Sequence, residues 1–245
     1  MKVALFIPCY VDQFYPHVAI ATLELLEKLG VKVFYPEKQT CCGQPMANSG
    51  FEHLTDTCSD HFIENFSGYD YIVSPSGSCV LHVKDHLHSI TREHEATQIR
   101  CKVLELTEFL VDILKVRQIK SRFNHRVGLH QSCHGQRGLK LSQMSELISP
   151  PFSKPEALLQ MVSGLELISL DRKDECCGFG GTFCVGEEAV SVKMGKDRIA
   201  DHIQYGAEFI TGNDMSCLMH LEGILKRQKS STRIIHIAEI LNTSS

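Results

Sequence analysis

Eight cysteines fall into two sets of four with matching flanks. Cys9, the adjacent pair Cys41-Cys42 and Cys79 make the first set; Cys133, the pair Cys176-Cys177 and Cys217 make the second. Each pair runs into a glycine, Gly43 or Gly178, and each set closes as Cys-x-x-His, Cys79 to His82 and Cys217 to His220. Thiolates are soft anionic ligands for zinc and iron, so a duplicated quartet of this kind points to two metal centres. The adjacent pairs bear on the metal. Structural zinc usually takes cysteines two to four positions apart, because neighbouring side chains have difficulty reaching two corners of one small tetrahedron. An iron–sulfur cluster offers several irons, so neighbouring thiolates can each serve a different atom. Iron–sulfur ligation by all eight thiols is the expectation, with zinc in one or both halves, or inert buried thiols, as the alternatives. Gly43 and Gly178 are expected to take positive φ and to let the backbone approach the inorganic sulfides without a Cβ in the way.

The elements that carry these cysteines repeat as well. Val3 to Ile7 aligns with Val127 to His130, a strand running into the first cysteine of its set. Gly30 before Val31-Lys32-Val33-Phe34 aligns with Gly164 before Leu165-Glu166-Leu167-Ile168, and Cys79 and Cys217 each lie eleven positions after a glycine, Gly68 or Gly206. Val103-Leu104-Glu105 and Ile234-Ile235-His236 open the closing strand and helix of each half. Between the strands lie helical patterns, such as Val18, Ala21, Leu25 and Leu29, which Gly30 is placed to terminate. Short apolar strands alternating with helices predict an α/β protein of two pseudo-symmetric lobes, residues 1–120 and 121–245, each a parallel sheet with helical crossovers. In such sheets the loops leaving the carboxyl ends of the strands gather along one edge, which brings each quartet together there. The basic cluster Lys115, Arg117, Lys120, Arg122 and Arg126 reads as a solvated linker between lobes, and the insertion Leu141 to Leu158 as a surface excursion.

Composition narrows the function classes. A chain of 245 residues with 43% apolar and 22% charged residues is ordinary for a globular protein, and its net charge of −4 gives no footprint for nucleic acid. The opening apolar run is too short for a signal peptide, and no stretch approaches the ~20 apolar residues of a membrane helix, so a cytoplasmic protein without membrane insertion is expected. Eleven cysteines, an odd number, argue for metal or redox chemistry over a disulfide framework.

The cysteine spacing resembles that of the cysteine-rich (Cys-Cys-Gly) domain family, which includes the B subunit of heterodisulfide reductase. The local wording Cys176-Cys177-Gly178-Phe179-Gly180-Gly181-Thr182-Phe183 and Gly212-Asn213-Asp214-Met215-Ser216-Cys217-Leu218-Met219-His220 is similar to the lactate-utilisation A branch of that family. The resemblance implies one [4Fe-4S] cluster per lobe, with zinc possible in one lobe. It further implies a three-component system that oxidises L-lactate to pyruvate, in which the partners are a second iron–sulfur protein and a third component. One departure stands out. The heterodisulfide-reductase pattern ends Cys-x-x-Cys and supplies a fifth thiolate, whereas His82 and His220 occupy those positions here. Each is a candidate metal ligand, proton donor or helix-start residue.

Several other residues invite chemistry. His134, next to Cys133, is the candidate for catalytic proton transfer. His82 and His86 stand four apart, but Val83-Lys84-Asp85 between them lacks the glutamate of a metalloprotease, so the pair reads as a solvated helix face. Cys184 is an auxiliary-thiol candidate near the second centre, and Cys58 and Cys101 read as core or surface thiols. Gly178-x-Gly180-Gly181 lacks the third glycine of a dinucleotide fingerprint, and the chain has neither a phosphate-binding loop nor a close-set ferredoxin run of cysteines. Two-electron oxidation of an organic acid therefore needs a partner to supply the flavin or the electron exit. The leading expectation is an iron–sulfur oxidoreductase subunit; a disulfide reductase subunit and a zinc-stapled scaffold are the alternatives.

Overall fold

Val3, Ala4 and Leu5 are all buried, as a strand covered by helices on both faces requires. The computed structural model describes residues 1–244. In the first lobe β1 (Val3–Leu5) leads into α1 (Cys9–Phe14) and α2 (Pro16–Lys28), then β2 (Val33–Phe34), α3 (Gln44–Asn48), α4 (Asp56–Phe66), β3 (Tyr71–Ser74), α5 (Gly77–His86), α6 (Glu93–Lys102), β4 (Val103–Glu105) and α7 (Leu106–Glu108). The second lobe runs β5 (Arg126–Leu129), α8 (Lys154–Leu159), β6 (Glu166–Leu167), α9 (Phe183–Gly186), α10 (Glu188–Gln204), β7 (Phe209–Gly212), α11 (Met215–Gln228), β8 (Arg233–His236) and α12 (Ile237–Asn242).

Both sheets are parallel and share one strand order, β2-β1-β3-β4 and β6-β5-β7-β8. The registers superimpose: Val3 pairs with Tyr71 where Val127 pairs with Phe209. The α/β architecture with two pseudo-symmetric lobes is therefore as the repeat predicts. Strand order reverses between β1 and β3, and between β5 and β7, so a crevice opens at the carboxyl ends of those strands. Local chemistry sets the helices. Pro16 begins α2 where a missing N–H costs nothing, Val18, Ala21 and Leu25 bury its inner face, and Gly30 at φ 79° ends it.

Alternation along β1 feeds two cores. Ala4 and Phe6 face a smaller core with Phe62, Ile63 and Phe66, while Val3, Leu5 and Ile7 face a larger one. That larger core is continuous with Val127, Leu129 and Ile210 of the second lobe and with Ile237, Ile240 and Leu241 of α12. The closing helix of each lobe packs on a helix of the other, α12 on α2 and α7 on α8. Each large apolar side chain so buried contributes roughly 1.5–3 kcal/mol, and much of that depends on both lobes being present.

Three expectations need correction. His82 is buried in α5, and only His86, stacked on it with ring centroids 5.0 Å apart, is solvated. The basic cluster is not a free linker: Ile119 and Ser121 are buried, the Phe123 N–H donates to the Ser163 carbonyl, and Arg126 belongs to β5. The stretch from Leu141 to Leu158 is exposed only through its middle, because Leu141, Pro155 and Leu158 are core residues. Apolar anchors at both ends of a segment outweigh the prolines that mark its turns.

Candidate metal centres

Each cysteine sits just past a strand end. Cys9 starts α1 after β1, Cys41 and Cys42 follow β2, and Cys79 lies in the first turn of α5 after β3. Cys133, Cys176, Cys177 and Cys217 repeat this after β5, β6 and β7. The sulfurs of each quartet form a chain of neighbours. Cys9 contacts Cys41 at 3.7 Å, Cys41 contacts Cys42, and Cys42 contacts Cys79. Cys133, Cys176, Cys177 and Cys217 follow the same order. Both chains open onto one cleft of about 570 Å³, shared between the lobes and lined as well by Tyr10, Ser76, Ser78, His134, Phe179 and Asp214.

The electrostatics follow from crowding. Hydrogen bonds from Cys42 and Cys9 push the Cys41 thiol far down, and hydrogen bonds from Cys133 and Cys177 do the same to Cys176. The donors are pushed up in turn, each first by its bond to the ionised neighbour and then by burial or a further thiol. Backbone N–H groups of Gly43 and Gly178 also donate to Cys41 Sγ and Cys176 Sγ, at 3.5 and 3.4 Å. Like charges at this separation repel, so ionising a second thiol beside the first is costly. Four thiolates together need a multivalent cation, which is what this donor set fits.

Gly43 and Gly178 take φ of 92° and 86°, as expected of each pair's glycine. The surrounding packing supplies a further reason for glycine. A Cβ at Gly178 would lie 2.7 Å from both Met194 Cβ and the Ser191 carbonyl oxygen, so it is α10 that fills this space. Around Gly43 the neighbours are Thr55 and Cys58, at 3.3 to 3.4 Å.

The histidines of the Cys-x-x-His ends turn toward backbone. His82 faces the Cys42 backbone, and His220 donates through Nε2 to Ser191 O at 3.3 Å with the Cys177 carbonyl beside the same nitrogen. Burial pushes His82 down to about 4, so both rings brace the Cys-Cys turns in neutral form. His134 Nδ1 lies 3.9 Å from Cys133 Sγ on the cleft wall. Cys184 donates to Gly181 O at 3.0 Å, Cys58 lies under the Gly43 turn, and Cys101 is exposed.

Three polar neighbours of the sulfur chains escape a reading of the cysteine spacing. A ring nitrogen of His130 lies within 4.8 Å of the Cys177 and Cys217 sulfurs, and His130 is buried. Arg198 is fully buried and donates from Nε to His130 Nδ1 at 3.3 Å and from Nη1 to Asp201 at 3.0 Å. Asp214 joins the lobes at the floor of the cleft, accepting from Ser78 N at 2.7 Å and from Ser216 N at 3.2 Å. A signal for the first was present. The strand alignment sets His130 against Phe6, and a polar residue replacing a core aromatic marks a site.

The family model for the cysteine-rich domain (CCG) matches residues 3–84 and 127–222. The chain is 39% identical to a lactate utilization protein A of Geobacillus sp. (strain WCH70) over 99% of this chain and 100% of that one. It is 40% identical to the lactate utilization protein A of Geobacillus kaustophilus (strain HTA426), covering 99% of each. Among solved structures, a hypothetical protein from Helicobacter pylori matches with a TM-score of 0.60 at 15% identity, over 98% of this chain and 48% of that chain, which speaks to the fold alone. The duplicated Cys-Cys-Gly units and full-length similarity place the chain in the cysteine-rich domain family, in the branch of the lactate utilization A proteins.

Proposed function

We propose that this protein is the iron–sulfur subunit of a cytoplasmic, multi-component system that oxidises L-lactate to pyruvate, and that it accepts and relays the electrons. The observation that carries this reading is the pair of sulfur chains facing one cleft. In it Cys9, Cys41, Cys42 and Cys79 hold one centre in the lobe of residues 1–120, and Cys133, Cys176, Cys177 and Cys217 hold the other in residues 121–245. Bound there, iron–sulfur clusters supply one-electron acceptors. The similarity to relatives named for lactate utilization supports the substrate class, and the partners proposed with it are a second iron–sulfur protein and a third component.

The cleft wall favours relay over substrate seating. Its lining carries the Asp214 carboxylate and, among the described residues, neither lysine nor arginine. A carboxylate substrate is normally gripped by a guanidinium or ammonium group. Dehydrogenation of lactate is therefore assigned to a partner, with electrons passing to this chain. His82 and His220 steady the paired-cysteine turns, and His134 is the group placed to exchange a proton beside Cys133.

Anaerobic purification followed by iron, acid-labile sulfide and zinc analysis tests the centres. Iron and sulfide with a brown chromophore are expected; colourless protein carrying two zincs would instead identify a scaffold. Mixing the three components and following lactate-dependent dye reduction tests the substrate. Turnover with a disulfide but not with lactate would replace this reading by a disulfide reductase subunit.

A further inference from the structure

Two lobes built on one plan surround their sulfur sites with different chemistry. In the first, Phe6 at the end of β1 meets Phe62 and Phe66 of α4, with ring centroids 5.0 and 5.6 Å away, in an apolar core that also contains Cys42 and Cys79. The equivalent position in the second lobe is His130. Each residue stands three positions before the first cysteine of its set, and the Phe6 N–H donates to the Val73 carbonyl of β3 where the His130 N–H donates to the Thr211 carbonyl of β7. The helix that meets His130 is α10, through Arg198.

The facing helices differ in the same way. Phe62, Ile63 and Phe66 lie on the buried face of α4, and Arg198, Ile199 and His202 repeat that spacing on α10. An aromatic trio in one lobe is thus replaced by the buried polar trio His130, Arg198 and His202 in the other. Burying such groups costs free energy that an aromatic plug avoids, so the exchange needs a compensating role.

The hydrogen bonds say which role. Arg198 has no acceptor capacity and donates from Nε to His130 Nδ1 at 3.3 Å. With Nδ1 accepting, the ring proton of the neutral imidazole sits on Nε2, and Nε2 is buried without a protein partner among the described residues. A protonated nitrogen is a donor and not a metal ligand. Asp201 Oδ2 and the carbonyls of Arg172 and Leu129 hold the guanidinium in this pose.

We infer that the two centres are electronically unequal: His130, fixed by Arg198 as an Nε2–H donor, hydrogen-bonds to sulfur of the second centre and raises its reduction potential above that of the first. Hydrogen bonds to cluster sulfur stabilise the more negative, reduced state, and the first centre has Phe6 at this position. An electron shared by the pair then rests on the second centre, the first being oxidised as the second is reduced. His130 is a positioning and tuning residue, with Arg198 acting through it.

This inference rests on the metal-centre reading, so iron and sulfide in anaerobically purified wild-type protein are measured first; protein without iron overturns both. With iron present, EPR-monitored redox titration compares wild type with His130→Phe, which copies the first lobe, and with His130→Gln, which keeps a side-chain N–H. Two potentials are expected in wild type. His130→Phe lowers the higher one, leaves the lower one in place and retains iron, while His130→Gln recovers most of the gap. Pulsed ENDOR of the reduced wild-type second centre in H2O and D2O should show an exchangeable proton coupling. Unchanged potentials, or a directly bonded nitrogen with loss of iron in the variants, overturns the inference and leaves the metal-centre reading standing. Should His130→Phe fail to fold, the wild-type ENDOR and His130→Gln decide.

Discussion

Asp214 of the second lobe accepts the backbone N–H of Ser78 in the first at 2.7 Å, while its other oxygen caps α11 through Ser216. Ser76 and Asp214 are equivalent N-caps, and they meet in an antiparallel bridge where the two lobes join. One buried carboxylate thus serves two helix starts, and those two helices carry Cys79 and Cys217. Asp214→Asn should lower unfolding stability by about 1.5–3 kcal/mol, the range for a hydrogen bond to a charged group. Urea denaturation reads this, and an unchanged midpoint would show that the lobes do not depend on the staple.

Cys177→Ser should remove most of the iron from the second lobe and spare the first, because Cys177 lies between Cys176 and Cys217 in the sulfur chain. Iron analysis with EPR separates the two centres. Equal loss from both would show that they do not assemble independently. Cys58→Ala should leave metal content at the wild-type level.

Gly178→Ala should destabilise more than Gly30→Ala. Both positions have positive φ, but only at Gly178 would the new Cβ meet Met194 and the Ser191 carbonyl oxygen at 2.7 Å, whereas nothing lies within 4 Å of it at Gly30. The conformational cost common to both is about 1 kcal/mol, and Gly178→Ala adds overpacking of roughly 1–3 kcal/mol. Thermal unfolding of the two variants tests the order.

Glu105 and His236 occupy equivalent positions, each ending the last strand of its lobe and closing a capping box with Glu108 or Glu239. Burial pushes Glu105 up to about 8 and His236 down to about 4. The signs are opposite. The Glu105 contribution is fully present below the unfolded carboxyl value and is lost as pH rises through about 8. His236 stays neutral in the fold, so its contribution is present above about 6.5 and is lost as pH falls toward about 4. Glu105→Gln should remove the alkaline loss and His236→Gln the acid one, as measured by urea midpoints across pH 4 to 9 at about 1.4 kcal/mol per unit per group at most. Parallel pH profiles for wild type and both variants would refute the assignment.

The duplicated cysteines, the two parallel sheets and the gathering of each quartet at a strand edge were legible because they depend on spacing and on period, which are local properties. The polar environment was not. His130, Arg198 and Asp214 act across long stretches of chain, and only the packing of α10 on β5 and of α5 on the second lobe brings them to their partners. The same holds for His82, whose burial no helical pattern announces, and for Gly178, whose neighbour proved to be a helix. Sequence alone determined which atoms could bind metal and how often the unit repeats. Tertiary structure decided that both quartets share one cleft and that their surroundings differ, because burial and hydrogen-bond partners arise only where distant segments pack.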